Sequence, residues 1–189
     1  MPFSLTALLP KPILRFLRDR RGVAAVEFAF VAPILICAYL GMAEVDLGVL
    51  ASRQTSHLAA TIGDLASQSD NLTAANLTDL WSIGGSMLQP FPTGTALKIR
   101  LSEVLMNSSG QAIVQWSKNQ NWTGTAYVNG VTPIPQITTA QLTAGQYLIM
   151  TEVEYDYSSP IGNFLPGITT MTYTFYHHPR NGSQVTQTG

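Results

Sequence analysis

The sequence predicts an α+β chain: one long N-terminal helix, apolar in its first half and amphipathic in its second, packed on a small antiparallel sheet. Three observations predict it. An apolar run with one charge extends from Val23 to Ala43. Helical spacing of apolar residues then continues to about residue 68. Beyond residue 92 the chain turns to alternating, strand-like segments separated by Gly, Pro and Asn. Of the 189 residues, 46 % are apolar and only 11 % charged, with a mean hydropathy of +0.15. That balance points to a segment outside water, attached to one modest domain.

The run Val23–Ala43 holds 21 residues and a single charge, Glu27. As a helix it is roughly 31 Å long, close to the ~30 Å hydrocarbon core of a bilayer. Buried helices of globular domains are seldom this long and this apolar. Pro33 interrupts the run; it kinks a helix and frees a carbonyl, which membrane helices tolerate when a neighbour or water satisfies it. Five basic residues (Lys11, Arg15, Arg18, Arg20, Arg21) precede Gly22, whereas Glu44 and Asp46 follow the run. The positive-inside bias therefore predicts a cytoplasmic N-terminus, with the remainder of the chain across the membrane.

Past Ala43, Leu47, Leu50, Leu58, Ile62 and Leu65 fall mostly at three- and four-residue steps, with Arg53, Gln54, Asp64 and Gln68 between them. A shorter helix is expected over about 74–88, capped by Thr73 or Asn71, with Leu77, Trp81 and Leu88 on one face. Pro90 and Pro92 close the helical region. Four strand-like segments follow: "ALKIRLSEV", "AIVQWS", "QYLIMTEVEYDY" and "TTMTYTFYHH". Their alternation sets Leu97, Ile99 and Leu101 against Lys98, Arg100 and Ser102, and Ile149, Thr151, Val153, Tyr155 and Tyr157 against Glu152, Glu154 and Asp156. Met171, Tyr173 and Phe175 likewise oppose Thr172, Thr174 and Tyr176. Turns are expected at Asn107 to Gly110, Asn129-Gly130, Pro133 to Pro135 and "SSPIGNFLPG".

Little in this pattern suggests chemistry. From Val23 onward five basic residues face ten acidic ones, the opposite of a nucleic-acid footprint. Cys37 is the only cysteine, so no internal disulfide forms. Glu152, Glu154 and Asp156 share a strand face, but without the Asp/Asn and Gly spacing of a calcium loop they read as a solvated face. His177 and His178 are adjacent, so a strand sends them to opposite faces, and no metal is expected there. There is no Gly-x-Ser-x-Gly frame and no phosphate loop. Trp116, Trp122 and Tyr127 are either core or a contact surface for a partner or sugar. No cofactor and no enzymatic activity are expected.

Glu27 is the residue that asks for an explanation. An ionisable group in a membrane segment costs a few kcal/mol and marks a functional position by default. One reading is that it lies within a turn of the interface and reaches water. The other begins with Gly22. A cut between Gly22 and Val23 makes Glu27 the fifth residue of the mature chain. A new α-amino group then lies one turn from the carboxylate, and the pair from neighbouring subunits can neutralise each other. The positive end of the helix dipole also favours an acid in the first turn.

A basic leader ending in Gly, followed by small residues, Glu-Phe and an apolar run interrupted by Pro ("RRGVAAVEFAFVAPILI"), resembles the type IV prepilin signal. Its wording is similar to that of the TadE/TadG-like minor pseudopilins of tight-adherence (Flp) pilus systems, over residues 18–62. The resemblance implies a type IV pilin-like fold. It makes 1–22 a cytoplasmic leader that is removed, 23–43 the transmembrane and pilus-core helix, 44–92 the amphipathic continuation with a second helix, and 93–189 a β-rich extracytoplasmic domain. Gly22 and Val23 would flank the scissile bond, with Glu27 and Phe28 as recognition and registration positions and Val23, Pro33 and Ala43 in the spanning helix. The implied partners are a prepilin peptidase, other pilins or pseudopilins, the inner-membrane assembly platform and lipid. The implied location is a bacterial inner membrane or the pilus itself, and the implied role is pilus initiation, tip formation or adhesion. The alternative is a secreted or membrane-anchored binding protein whose ordinary signal peptide is cut near Ala43, after the small residues of "GMA".

Overall fold

The computed structural model describes residues 22–123, 127–159 and 170–188. It has the expected α+β composition. Helix α1 spans Val23–Ser67, 45 residues with Pro33 inside it. Strand β1 (Asn71–Thr73) leads into helix α2 (Ala74–Met87). Strands β2 (Leu97–Met106), β3 (Ala112–Gln120), β4 (Tyr147–Asp156) and β5 (Thr170–His177) form one antiparallel sheet in the order β3-β2-β4-β5. A short strand β6 (Thr186–Thr188) pairs in parallel with β1. The expected leader as far as residue 21 and most of "SSPIGNFLPG" lie outside the described residues.

By its contacts the chain divides into two compact units, Met1–Ala43 and Glu44–Gly189. In the first, the described residues are helical from Val23 and expose large apolar side chains: Phe28 is 69 %, Phe30 73 % and Tyr39 73 % accessible. Apolar residues on every side of a helix require a non-aqueous neighbour. Among the described residues α1 is the one helix long and apolar enough to cross a membrane.

In the second unit the rest of α1 becomes a core element. Ala51, Leu58, Ala59, Ile62 and Ala66 are fully buried, in one cluster with Leu77 and Leu80 of α2 and with Leu97, Ile99, Leu101, Ile149, Val153 and Tyr155 of the sheet. Each side chain such as Leu58 or Ile62 contributes about 1.5–3 kcal/mol by leaving water. Gly63 is required where α1 meets the sheet, because a Cβ there would run into the His177 ring and the Thr151 hydroxyl. The start of α2 is set by a capping box. The Asn76 amide donates to Thr73 Oγ1 (3.2 Å) and the Thr73 amide to Asn76 Oδ1 (3.0 Å). Thr73, not Asn71, is thus the cap; Asn71 belongs to β1.

The other sheet face departs from the expected polar exterior. From Ile99 to Val104 every residue of β2 is buried, so alternation no longer separates core from solvent. The reason is the loop between β3 and β4. Its Ile134, Ile137 and Leu142 pack over Val104, Met106, Val114, Leu148 and Met150 as a second cluster. The Pro133–Pro135 stretch is therefore not just a turn; Pro133 bridges to Ile113 and carries Ile134 into that cluster. A bulge between Glu103 and Val104 sets Val114 opposite Val104 but Trp116 opposite Glu103, turning Trp116 onto the α1 side.

Candidate functional site

The residues singled out at the start of α1 lie together on one short segment. Gly22 is a turn residue and Val23 opens the helix, with the Val26 amide donating to the Gly22 carbonyl at 3.1 Å. Glu27 and Phe28 follow, both exposed. Glu27 has no hydrogen bond or ion pair with another described residue. The first turn contains no acid, so Glu27 lies just past it, and dipole stabilisation, which fades within the first turn, is weaker than expected. Phe28 leaves its ring free for contact with lipid or protein. Pro33 lies within the continuous helix, and Ala43 ends the first unit.

In the second unit the carboxylates of β4 form an ion-pair ladder, not a solvated face. Glu152 takes Arg100 in two bonds, from Nε (2.7 Å) and Nη2 (2.8 Å), with side chains only 14 % and 8 % accessible. The guanidinium lies 4.2 Å from the ring centre of Trp122 and 3.9 Å from that of Tyr127. Nη2 also donates to the Tyr127 hydroxyl at 2.8 Å, and this hydroxyl donates to Glu152 Oε1 at 3.2 Å. Burial, then the charge of Glu152, pushes the Tyr127 phenol up. Lys98 meets Glu154 at 2.5 Å and Asp156 at 3.0 Å. The hydrogen bonds that Lys98 donates to Glu154 and then to Asp156 hold its proton more tightly than usual. Of the three aromatics, Trp116 is core, while Trp122 and Tyr127 enclose Arg100.

His177 and His178 separate as expected. His177 is half-buried, its Nδ1 without a partner, beside Gly63; His178 is exposed. Burial lowers the His177 pKa, partly opposed by the Asp64 charge. No group of three or more His, Cys, Asp or Glu among the described residues is arranged to hold a metal. Open grooves lie among the described residues. One of about 410 Å³ is lined by Thr78, Trp81, Thr93, Leu97 and Gln120, and one of about 420 Å³ by Ser52, Arg53, His57, Tyr173 and Phe175.

Glu103 is the group the sequence reading missed. It is fully buried, and burial pushes its carboxyl up to about 7. Its signal was present: continuing the alternation Leu97, Ile99, Leu101 places Glu103 on the apolar face.

No protein-family model matches this chain, and neither does any curated protein or solved structure.

Proposed function

We propose that this chain is a TadE-like minor pilin or pseudopilin. It is inserted with its N-terminus in the cytoplasm, cut by a prepilin peptidase between Gly22 and Val23, and assembled through its apolar helix with other pilin-like subunits. The observation that carries this reading is the coincidence at the head of α1. The Gly-Val bond lies where the turn becomes helix, and a Glu-Phe pair follows on a helix whose large apolar side chains are exposed through Met42. After the cut, the Val23 amine would be the ionic partner that Glu27 lacks among the described residues. An ammonium and a carboxylate meeting between subunits in an apolar setting neutralise each other when the geometry is good. The second unit, with α1 packed on an antiparallel sheet, fits a pilin-like head domain.

The test is the N-terminus of the protein recovered from membranes of cells with an active prepilin peptidase, by intact mass and terminal peptide mapping. The expected start is Val23, and Gly22→Phe should leave the leader attached. A start at Glu44 would replace this reading with a secreted domain freed by signal peptidase. An intact leader in the wild type would leave a plain membrane anchor.

A further inference from the structure

We propose that segment 183–188 is a latch on the second unit, clasped while Glu103 carries a proton and loosened when Glu103 is ionised. The clasp is built around one residue. The Val185 amide donates to Glu103 Oε1 at 2.6 Å, and Trp116 Nε1 donates to the Val185 carbonyl at 2.7 Å. Val185 is 1 % accessible, whereas Thr186 and Thr188 are exposed. Beyond it, β6 is held by three residue pairs with β1, by the Thr186 amide on the Asp70 carbonyl (3.0 Å), and by threonine hydroxyls on Asn71 Oδ1. A segment with one buried apolar side chain depends on its polar bonds.

Those bonds end on a carboxyl group whose second oxygen, Oε2, is buried without a partner. A carboxylate would leave that oxygen bare in an apolar setting; a carboxylic acid places its proton there, and the buried charge disappears. The carboxyl is buried, and the neighbours that bear on it supply no counter-charge. Trp116 lies opposite on β3, Ile149 opposite on β4, and Gln184 and Val185 above. The charged or titratable groups on the elements around this face are Lys118 on β3, two residues beyond Trp116, Tyr147 on β4, His177 on β5, opposite Ile149, Asp64 on α1, and Asp70, His178 and Arg180 on the flanking chain. Asp64 is taken by Arg180 and Asp70 by Asn181. None of them contributes to the shift of Glu103: burial raises its pKa to about 7, against the smaller lowering by Val185, Gln184 and Trp116. When the latch lifts, water reaches the carboxyl and its pKa returns toward 4.5.

The sign follows from proton uptake. The clasped state binds the proton more tightly, so clasping is strongest at acid pH, weakens as pH rises from about 4.5 to about 7, and is level above that. Between pH 5 and pH 8 the clasping constant falls about 70-fold for that pKa difference.

Hydrogen exchange on the full chain in nanodiscs, corrected for intrinsic rates, reads this at the amides of Val185 and Thr186. Their protection should fall by tens-fold between pH 5 and pH 8 and lie well below that of amides at the centre of β2 and β4 at every pH, because the latch opens without the rest of the domain. Glu103→Gln should flatten the profile and His177→Asn should leave it intact. A flat wild-type profile overturns the proposal whatever the variants do. So does protection at Val185 and Thr186 equal to that of β2 and β4, which would mean that the segment opens only with the whole domain, or a slope that survives Glu103→Gln.

Discussion

Replacing Glu152 by Gln tests how the sheet's outer face is held. The change keeps shape and removes the charge that faces Arg100. The guanidinium cannot give up its proton, so it stays cationic in a site where its side chain is 8 % accessible. Removing one partner of a buried pair typically costs about 3–5 kcal/mol. Two local features reduce the loss. The Tyr127 hydroxyl still accepts from Nη2, and the faces of Trp122 and Tyr127 still attract the cation, at up to about 2 kcal/mol when desolvated. A destabilisation of about 2–3 kcal/mol is therefore expected. Glu154→Gln on the same strand supplies the contrast. Lys98 keeps Asp156 at 3.0 Å, and the carboxyls are 28 % and 44 % accessible, so the cost is below about 1 kcal/mol. Urea unfolding of the full chain in detergent, followed by tryptophan fluorescence, measures both. Equal midpoints for the two variants would refute the claim that burial, not charge pairing as such, sets the difference.

Two further substitutions probe the packing of α1 and the start of α2. Gly63→Ala should lower the thermal midpoint by an amount equivalent to about 1–3 kcal/mol, because the new methyl meets the His177 ring and lies 2.7 Å from Thr151 Oγ1. That exceeds the gain of about 1 kcal/mol in helix propensity, so a stabilised variant would contradict the close approach. Thr73→Ala should cost about 1 kcal/mol through loss of the cap, with Thr73→Ser restoring most of it, as measured by denaturant midpoint.

What was legible in the sequence had a local cause. A run as apolar as Val23–Ala43 can only be a helix facing something other than water, and the residues before α2 narrowed its cap to Thr73 or Asn71, of which Thr73 serves. What was not legible came from contacts distant in sequence. Arg100 and Ser102 looked solvent-facing until the β3–β4 segment brought Ile134, Ile137 and Leu142 over the sheet beyond them. No periodicity announces those three, since they sit in a loop rich in Pro and Thr. The bulge at Glu103 is equally silent, yet it decides that Trp116 joins the core while Trp122 shelters Arg100. The β1–β6 pair is three residues on each side, too short for alternation to show.

Glu27 and Glu103 are two answers to one physical problem, a carboxyl among apolar groups. At Glu103 the fold supplies neutral donors on one oxygen and nothing on the other, so the least costly counter-charge is a proton. Glu27 has no partner among the described residues and is exposed on the first unit, so its counter-charge comes from beyond them, such as water at the interface or a neighbouring molecule. An ionisable group inside a membrane segment costs a few kcal/mol at the bilayer centre and less near the interface, where Glu27 lies, and that cost is a drive to find a partner. A helix that is apolar elsewhere confines the choice to its own end. The α-amino group made by a cut after Gly22 is the cation that such a cut would place one turn from it. On the proposed reading, processing and assembly would be linked by charge: before the cut the acid has no such amine on the helix, and afterwards each subunit would bring both halves of a pair it can complete with the next.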